Sequence, residues 1–310
     1  MTDEPKNLQT HNPQTSNPQT GNPEGGNIDR REFVALSVAA GLAVTAGSAA
    51  AQGAEVAETN VEIKTPDGTC DAAFIHPRTG SHPGVLIWPD AFGLRPAFRD
   101  MAKRLAAEGF SVLVPNPFYR LAKSPVFADV ASFNFQNTED RAKLTPLMGS
   151  INAEGAAERD AAAFVAWMDS QAQVDKTKKI GTQGYCMGGP LIMKTAASQP
   201  ERVGAAASFH GGGLVTNAAT SPHLMIPKMK ARLYIGIAAN DDAQQPTAKD
   251  TLREAFAAAN VRAEIEVYPA AQHGWCVPDM PQQGGNPIYK RDDAERAWGK
   301  LIELYKAALA

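Results

Sequence analysis

The chain has 310 residues, 44% of them hydrophobic and 20% charged, with a formal net charge of −3. That length suffices for one large globular domain and requires no second. The near balance of charge, with no concentration of Lys and Arg in any one element, argues against nucleic acid as the main partner, because phosphate binding needs a clustered positive surface.

Residues 11–24 read HNPQTSNPQTGNPE, a repeated polar unit that cannot bury enough apolar surface to offset the entropy of ordering. Asp29-Arg30-Arg31-Glu32-Phe33-Val34 follows, then an uncharged run up to Glu55 that includes Ala49-Ala50-Ala51. Paired arginines, a mildly apolar core and small residues, in that order, resemble a twin-arginine export signal. The uncharged run is about as long as the ~20 residues that span a bilayer. Its large hydrophobes are only Phe33, Val34, Leu36, Val38, Leu42 and Val44, so cleavage near Ala51 is expected rather than stable membrane insertion. Residues 1–53 are therefore expected to be a disordered tail plus export signal read by the twin-arginine machinery. Residues 54–310 are expected to form the mature domain, exported to the periplasm or another extracytoplasmic space.

Beyond residue 60, short β-branched runs alternate with longer Ala-rich amphipathic ones, the pattern of βαβ units on a parallel sheet. Two antiparallel edge strands are predicted near 61–64 and 71–76. Buried strands are predicted at 84–88, 111–114, 179–183, 203–209, 232–237 and 263–268, and helices at 98–108, 152–170, 188–198, 248–260 and 291–309. The stretch 115–149, with Phe118, Tyr119, Phe127, Phe133 and Phe135, lacks a clean period. It reads as a pocket-lining insertion or as satellite core. The fold class is α/β: one domain with a mostly parallel central sheet flanked by helices.

Gly184-Tyr185-Cys186-Met187-Gly188-Gly189 stands between a predicted strand and a predicted helix and has the form of a nucleophile elbow, with Cys in place of Ser. Such a turn strains the central residue, and the flanking glycines let strand and helix pass closely. The helix start supplies N–H groups and a positive dipole end that favour a thiolate and an oxyanion. These glycines fit neither the dinucleotide G-x-G-x-x-G pattern nor a phosphate loop. In this arrangement an acid and then a histidine follow the nucleophile. Downstream histidines are His210, His223 and His273. His273, past the last predicted strand and before the last helix, is placed to be the base. His210, in Phe209-His210-Gly211-Gly212-Gly213, imitates an oxyanion motif that belongs upstream of a nucleophile and reads as pocket wall. Asn240-Asp241-Asp242 follows the strand at 232–237, and Asp241 is the first choice for the acid with Asp242 as the alternative. Cys70, Cys186 and Cys276 are the three cysteines, too few for a disulfide framework and without zinc-site spacing. No metal or cofactor is expected.

With these residues in place, the chain resembles the dienelactone hydrolase family of α/β-hydrolases over residues 61–309. The elbow, Asn240-Asp241-Asp242 and Ala271-Gln272-His273-Gly274-Trp275 match in type and order. The resemblance implies an acidic residue contacting the nucleophilic thiol, and Asp90 in Trp88-Pro89-Asp90-Ala91-Phe92-Gly93 takes that position where dienelactone hydrolase has Glu. It implies an oxyanion hole from the N–H groups of Ala91 and Met187. The dienelactone enzyme holds a substrate carboxylate with arginines, one shortly after the histidine, where this chain has Trp275-Cys276-Val277-Pro278. The expected activity is hydrolysis of a small-molecule ester or lactone through Cys186, His273 and Asp241 with a thioester intermediate. The contrasting expectation is an exported, non-catalytic small-molecule-binding relative of the same fold.

Overall fold

The computed structural model describes residues 54–283 and 285–309, and the tail, Arg30, Arg31 and cleavage region assigned to residues 1–53 lie outside the described residues. An antiparallel hairpin of β1 (Val56–Thr65) and β2 (Gly68–Pro77) opens the domain. Then come β3 (Gly84–Trp88), α1 (Pro96–Ala107), β4 (Ser111–Pro115), α2 (Thr138–Asn152), α3 (Ala156–Asp169), β5 (Ile180–Tyr185), α4 (Gly188–Ser198) and β6 (Val203–Phe209). β7 (Arg232–Ala238), α5 (Ala239–Gln244), α6 (Ala248–Ala258), β8 (Ala263–Tyr268), a short β9–β10 pair (Gln282–Gln283, Asn286–Pro287) and α7 (Arg291–Ala308) complete it.

The main sheet has the order β1-β2-β4-β3-β5-β6-β7-β8, with β3 to β8 parallel and β1 and β2 antiparallel. β3, β4 and β5 are buried at every position, as strands covered on both faces must be. α1 begins with Pro96 at its first turn and buries Phe98, Ala102, Leu105 and Ala106 in one stripe. With Ala297, Leu301 and Tyr305 of α7 it closes one face of the sheet. α3 and α4 close the other through Phe164, Met168, Leu191 and Ile192. Each such fully buried large apolar side chain contributes about 1.5–3 kcal/mol.

Strand order reverses between β3 and β5, since β4 lies on one side of β3 and β5 on the other. Loops leaving neighbouring parallel strands at such a point diverge and open a crevice at their carboxyl ends. The loop after β3 carries Asp90 and Ala91, and the turn after β5 carries Cys186. Several predicted elements differ: β8, expected buried, is the sheet's far edge, paired with β7 alone and largely exposed or half-buried, whereas β2, expected at an edge, is paired on both sides and mostly buried. The expected helix at 152–170 is α3 with a later start, at Ala156 after Gly155 at φ 69°, and Asn152 instead ends α2. The stretch 115–149 is not structureless, because α2 begins within it behind the cap Asn137, whose side chain accepts from the N–H groups of Glu139 and Asp140.

Candidate active site

Between β5 and α4 the chain turns within two residues, and Cys186 has φ 52°, a left-handed value that costs a side-chain-bearing residue of order 1–3 kcal/mol. Glycine is required around it. A Cβ on Gly184 would collide with the carbonyl of Gly188, and one on Gly188 would collide with the carbonyl of Trp88. The Cys186 N–H donates to the carbonyl of Phe209 (3.1 Å) and to Nδ1 of His210 (3.1 Å). His210 itself has φ 42° and is fully buried. The strained turn is thus held from the adjacent strand, and the Cys186 side chain remains half-buried.

His273 lies on the loop after β8, with Nδ1 at 2.9 and 3.0 Å from the two carboxylate oxygens of Asp241. Its backbone N–H donates to Oδ1 of Asn240 (2.8 Å), and Ala239 N–H donates to Ala271 O (3.0 Å), which locks the loop onto α5. Asp242 points elsewhere and takes Nζ of Lys249 on both oxygens (2.7 and 2.9 Å). Of the two candidate acids, the one brought to the histidine is Asp241. With Nδ1 committed, Nε2 is the ring atom left for the Cys186 sulfur. Burial alone would lower the His273 pKa, but the Asp241 carboxylate and the adjacent Cys186 sulfur outweigh it and push it up to about 10.

His210, expected as pocket wall, stands beneath this pair, its ring 4.8 Å from that of His273 in an edge-on arrangement. Burial first, and the neighbouring His273 charge second, hold its pKa well below the usual histidine value. The ring is therefore neutral, and accepting at Nδ1 leaves the proton on Nε2, which has no hydrogen-bond partner among the described residues. Nothing in the sequence around His210 announces the bond to Cys186 N–H. The three glycines that follow it mark only a tight turn.

The N–H groups of Ala91 and Met187 both lie in buried residues, and neither has a hydrogen-bond partner among the described residues. Orphaned buried N–H groups are rare, and a pair on the loops flanking a half-buried sulfur is a candidate oxyanion hole. Asp90 is engaged differently from the expectation. Its oxygens take both terminal nitrogens of Arg95 (2.7 and 2.9 Å), and one also accepts the Phe92 N–H (2.9 Å). Arg95 then reaches Asp279 through Nε and a terminal nitrogen, each at 2.8 Å. Among the described residues no hydrogen bond joins Asp90 to Cys186, because the short aspartate is claimed by a bidentate guanidinium.

Cys70 and Cys276 are free and buried, and burial raises both thiol pKa values. Behind the elbow, an apolar cavity of about 260 Å³ is walled by Tyr185, Phe209 and Cys276 and by α1 and α7. Cys186, His273 and Asp241 take no part in its wall.

A sequence model described as the dienelactone hydrolase family matches residues 70–309. An Escherichia coli (strain K12) protein provisionally named a carboxymethylenebutenolidase is 26% identical over 231 residues, covering 73% of this chain and 78% of its own. The carboxymethylenebutenolidase of Rhodococcus opacus is 24% identical over 262 residues, covering 82% of this chain and 93% of its own. Among solved structures, the dienelactone hydrolase-like promiscuous phosphotriesterase P91 from metagenomic libraries superposes with a TM-score of 0.67 at 21% identity. That likeness covers 82% of this chain and 99% of that one and speaks to the fold.

Proposed function

The chain belongs to the dienelactone hydrolase family and is a hydrolase of ester or lactone type, and from that premise we propose that it works through a Cys186–His273–Asp241 triad and a thioester on Cys186. The observation that carries this reading is the position of His273, held at Nδ1 by Asp241 and adjacent to the Cys186 sulfur, with its pKa raised to about 10. An imidazolium in that place favours an anionic sulfur beside it.

In the first half-reaction the Cys186 sulfur attacks the carbonyl carbon. The oxyanion accepts the free N–H groups of Ala91 and Met187. Collapse expels the alkoxide, which takes the proton from Nε2 of His273, and the acyl group stays on sulfur. In the second half-reaction His273, now neutral, takes a proton from water as that water attacks the thioester. Collapse returns the sulfur as leaving group and releases the acid. Asp241 keeps the imidazole oriented and balances its charge throughout. Asp90 has no step here, because Arg95 occupies it. The complete constellation of nucleophile, base, acid and free donors favours this reading over a non-catalytic binding role.

Turnover of a 4-nitrophenyl ester by the purified domain tests it. Wild-type protein is expected to hydrolyse the ester, and Cys186→Ala to fall by about 10⁴- to 10⁶-fold, as removal of one member of a cooperating triad does. Full activity in Cys186→Ala would remove the covalent mechanism. For the location, we propose twin-arginine export on the strength of Arg30-Arg31 and the run that follows. Arg30→Lys with Arg31→Lys should abolish export while leaving the folded domain active, and undiminished export would end that proposal. Among the described residues no helix is long and apolar enough to cross a membrane.

A further inference from the structure

We infer that the site selects neutral, apolar acyl esters or lactones and discriminates against carboxylated ones, an inference that rests on the hydrolase reading above and adds the substrate class to it. Two separate features of the rim carry it, one apolar and one electrostatic.

The apolar feature is a small aromatic cluster apart from the main core. The ring of Phe92 meets Phe127, Phe133 and Phe135 at centroid distances of 5.6, 5.0 and 5.7 Å, and Phe133 meets Phe135 at 4.8 Å. Val130, Leu144 and Met280 pack into it. Its place follows from its members. Phe92 directly follows Ala91, one of the two free N–H donors. Met280 lies against Gly274, where an added Cβ would meet its side chain at 2.8 Å, and Gly274 directly follows His273. The cluster therefore joins the loop carrying an oxyanion donor to the loop carrying the base. Phe135 at its edge stays 46% exposed, one of three large hydrophobes so placed among the described residues. An exposed aromatic edge on such a cluster gains free energy when an apolar acyl chain covers it.

The electrostatic feature is the lack of a free cation in the loop after β3 and in residues 269–289, the span that holds His273. Arg95 is the cation of the loop after β3, and two carboxylates, Asp90 and Asp279, share it. That group carries a net negative charge. Residues 269–289 contain no Lys or Arg, their one acid is Asp279, and the next cations, Lys290 and Arg291, are exposed at the start of α7. After β7, both carboxylate oxygens of Asp242 hold Lys249. A substrate carboxylate entering here would meet excess negative charge, or would have to draw Arg95 from buried partners, which is costly.

The test compares three 4-nitrophenyl esters on the purified domain: the acetate, the hexanoate and the monoester of adipic acid. Hexanoate and adipate acyl chains have the same number of carbons and differ in a terminal methyl against a terminal carboxylate. The hexanoate is expected to have the higher kcat/KM by about tenfold to hundredfold, the range that one pocket contact controls. Phe135→Ser should narrow the ratio by lowering the hexanoate value, and Asp279→Asn by raising the adipate value. Cys186-dependent hydrolysis of the acetate together with equal or preferred use of the adipate overturns the substrate class and leaves the hydrolase reading standing. An unchanged ratio in both variants overturns the assignment to this rim. No Cys186-dependent turnover of any of the three overturns the hydrolase reading and this inference with it.

Discussion

Asp241–His273 and Asp90–Arg95 are both carboxylate–cation pairs on segments that follow the carboxyl ends of the strands, yet their surroundings give them opposite properties. The first is partly open, with side chains 21% and 31% exposed, and its cation titrates, with a pKa raised to about 10. The second is closed, with both side chains 2% exposed, and its cation is a guanidinium that stays charged at any pH the fold survives. Arg95 is further fixed by Asp279 and lies over the rings of Phe92 and Phe98 at 5.5 and 4.9 Å. A pair that must exchange a proton needs access and a group able to give the proton up. A pair that braces a loop needs burial and saturation of every donor. Asp90, the acid that the resemblance set against the thiol, is in the braced pair, and Asp241, 32 residues before His273, is in the open one.

Removing each acid or its partner separates these tasks, and the largest expected effect is on turnover. Asp241→Asn should lower kcat by about 10²- to 10⁴-fold with little change in melting temperature, because an amide frees the imidazole to adopt the wrong tautomer. Arg95→Met should act the other way. Leaving Asp90 charged and unpaired in a buried site costs about 3–5 kcal/mol, read as a lower denaturant midpoint, and adding Asp90→Asn should recover part of it. The Arg95→Met, Asp90→Asn double variant should keep the shape of the wild-type pH–rate profile, since neither new side chain titrates and the Asp241–His273 pair is untouched.

A pH series distinguishes the pairs more finely. The folded pKa of His273 is about 10, with burial opposed by Asp241 and Cys186, against about 6.5 for an unfolded histidine. The folded state binds that proton more tightly, so the contribution is whole below about pH 6.5 and is lost as pH rises through about 10. Thermal unfolding across that window should show the alkaline loss in the wild type and a flatter curve in His273→Gln. Asp242→Asn is expected to have the smallest effect, within about 1 kcal/mol of stability and with near wild-type turnover, because its partner Lys249 is a partly exposed surface cation. If Asp242→Asn instead disables catalysis, the orienting acid is misassigned.

The parallel strands were legible because buried runs such as Val85–Leu86–Ile87 and Val112–Leu113–Val114 are long, apolar and β-branched. Helix α2 was not, although Leu144, Leu147, Met148 and Ile151 keep a helical spacing, because Pro146 and Gly149 interrupt it with helix-breaking residues. The elbow stood out from its glycines, whose space is filled by backbone on three sides. Asp241 and Asp242 could not be separated by reading, since consecutive residues on α5 point about 100° apart and only the folded helix determines which one meets His273. The bond from Arg95 to Asp279 and the bond from Cys186 to His210 join residues on different loops and strands, and no local pattern encodes them.

Trapping the acyl intermediate tests the central claim most directly. Intact-protein mass spectrometry after brief mixing with a slowly hydrolysed ester, followed by peptide mapping at low pH, reads both the adduct and its position. Acylation of Cys186, absent from Cys186→Ala and persisting longer in His273→Gln wherever acylation still occurs, is the predicted result. Turnover with no adduct on Cys186, or with the acyl group on Cys70, Cys276 or another side chain, would contradict it.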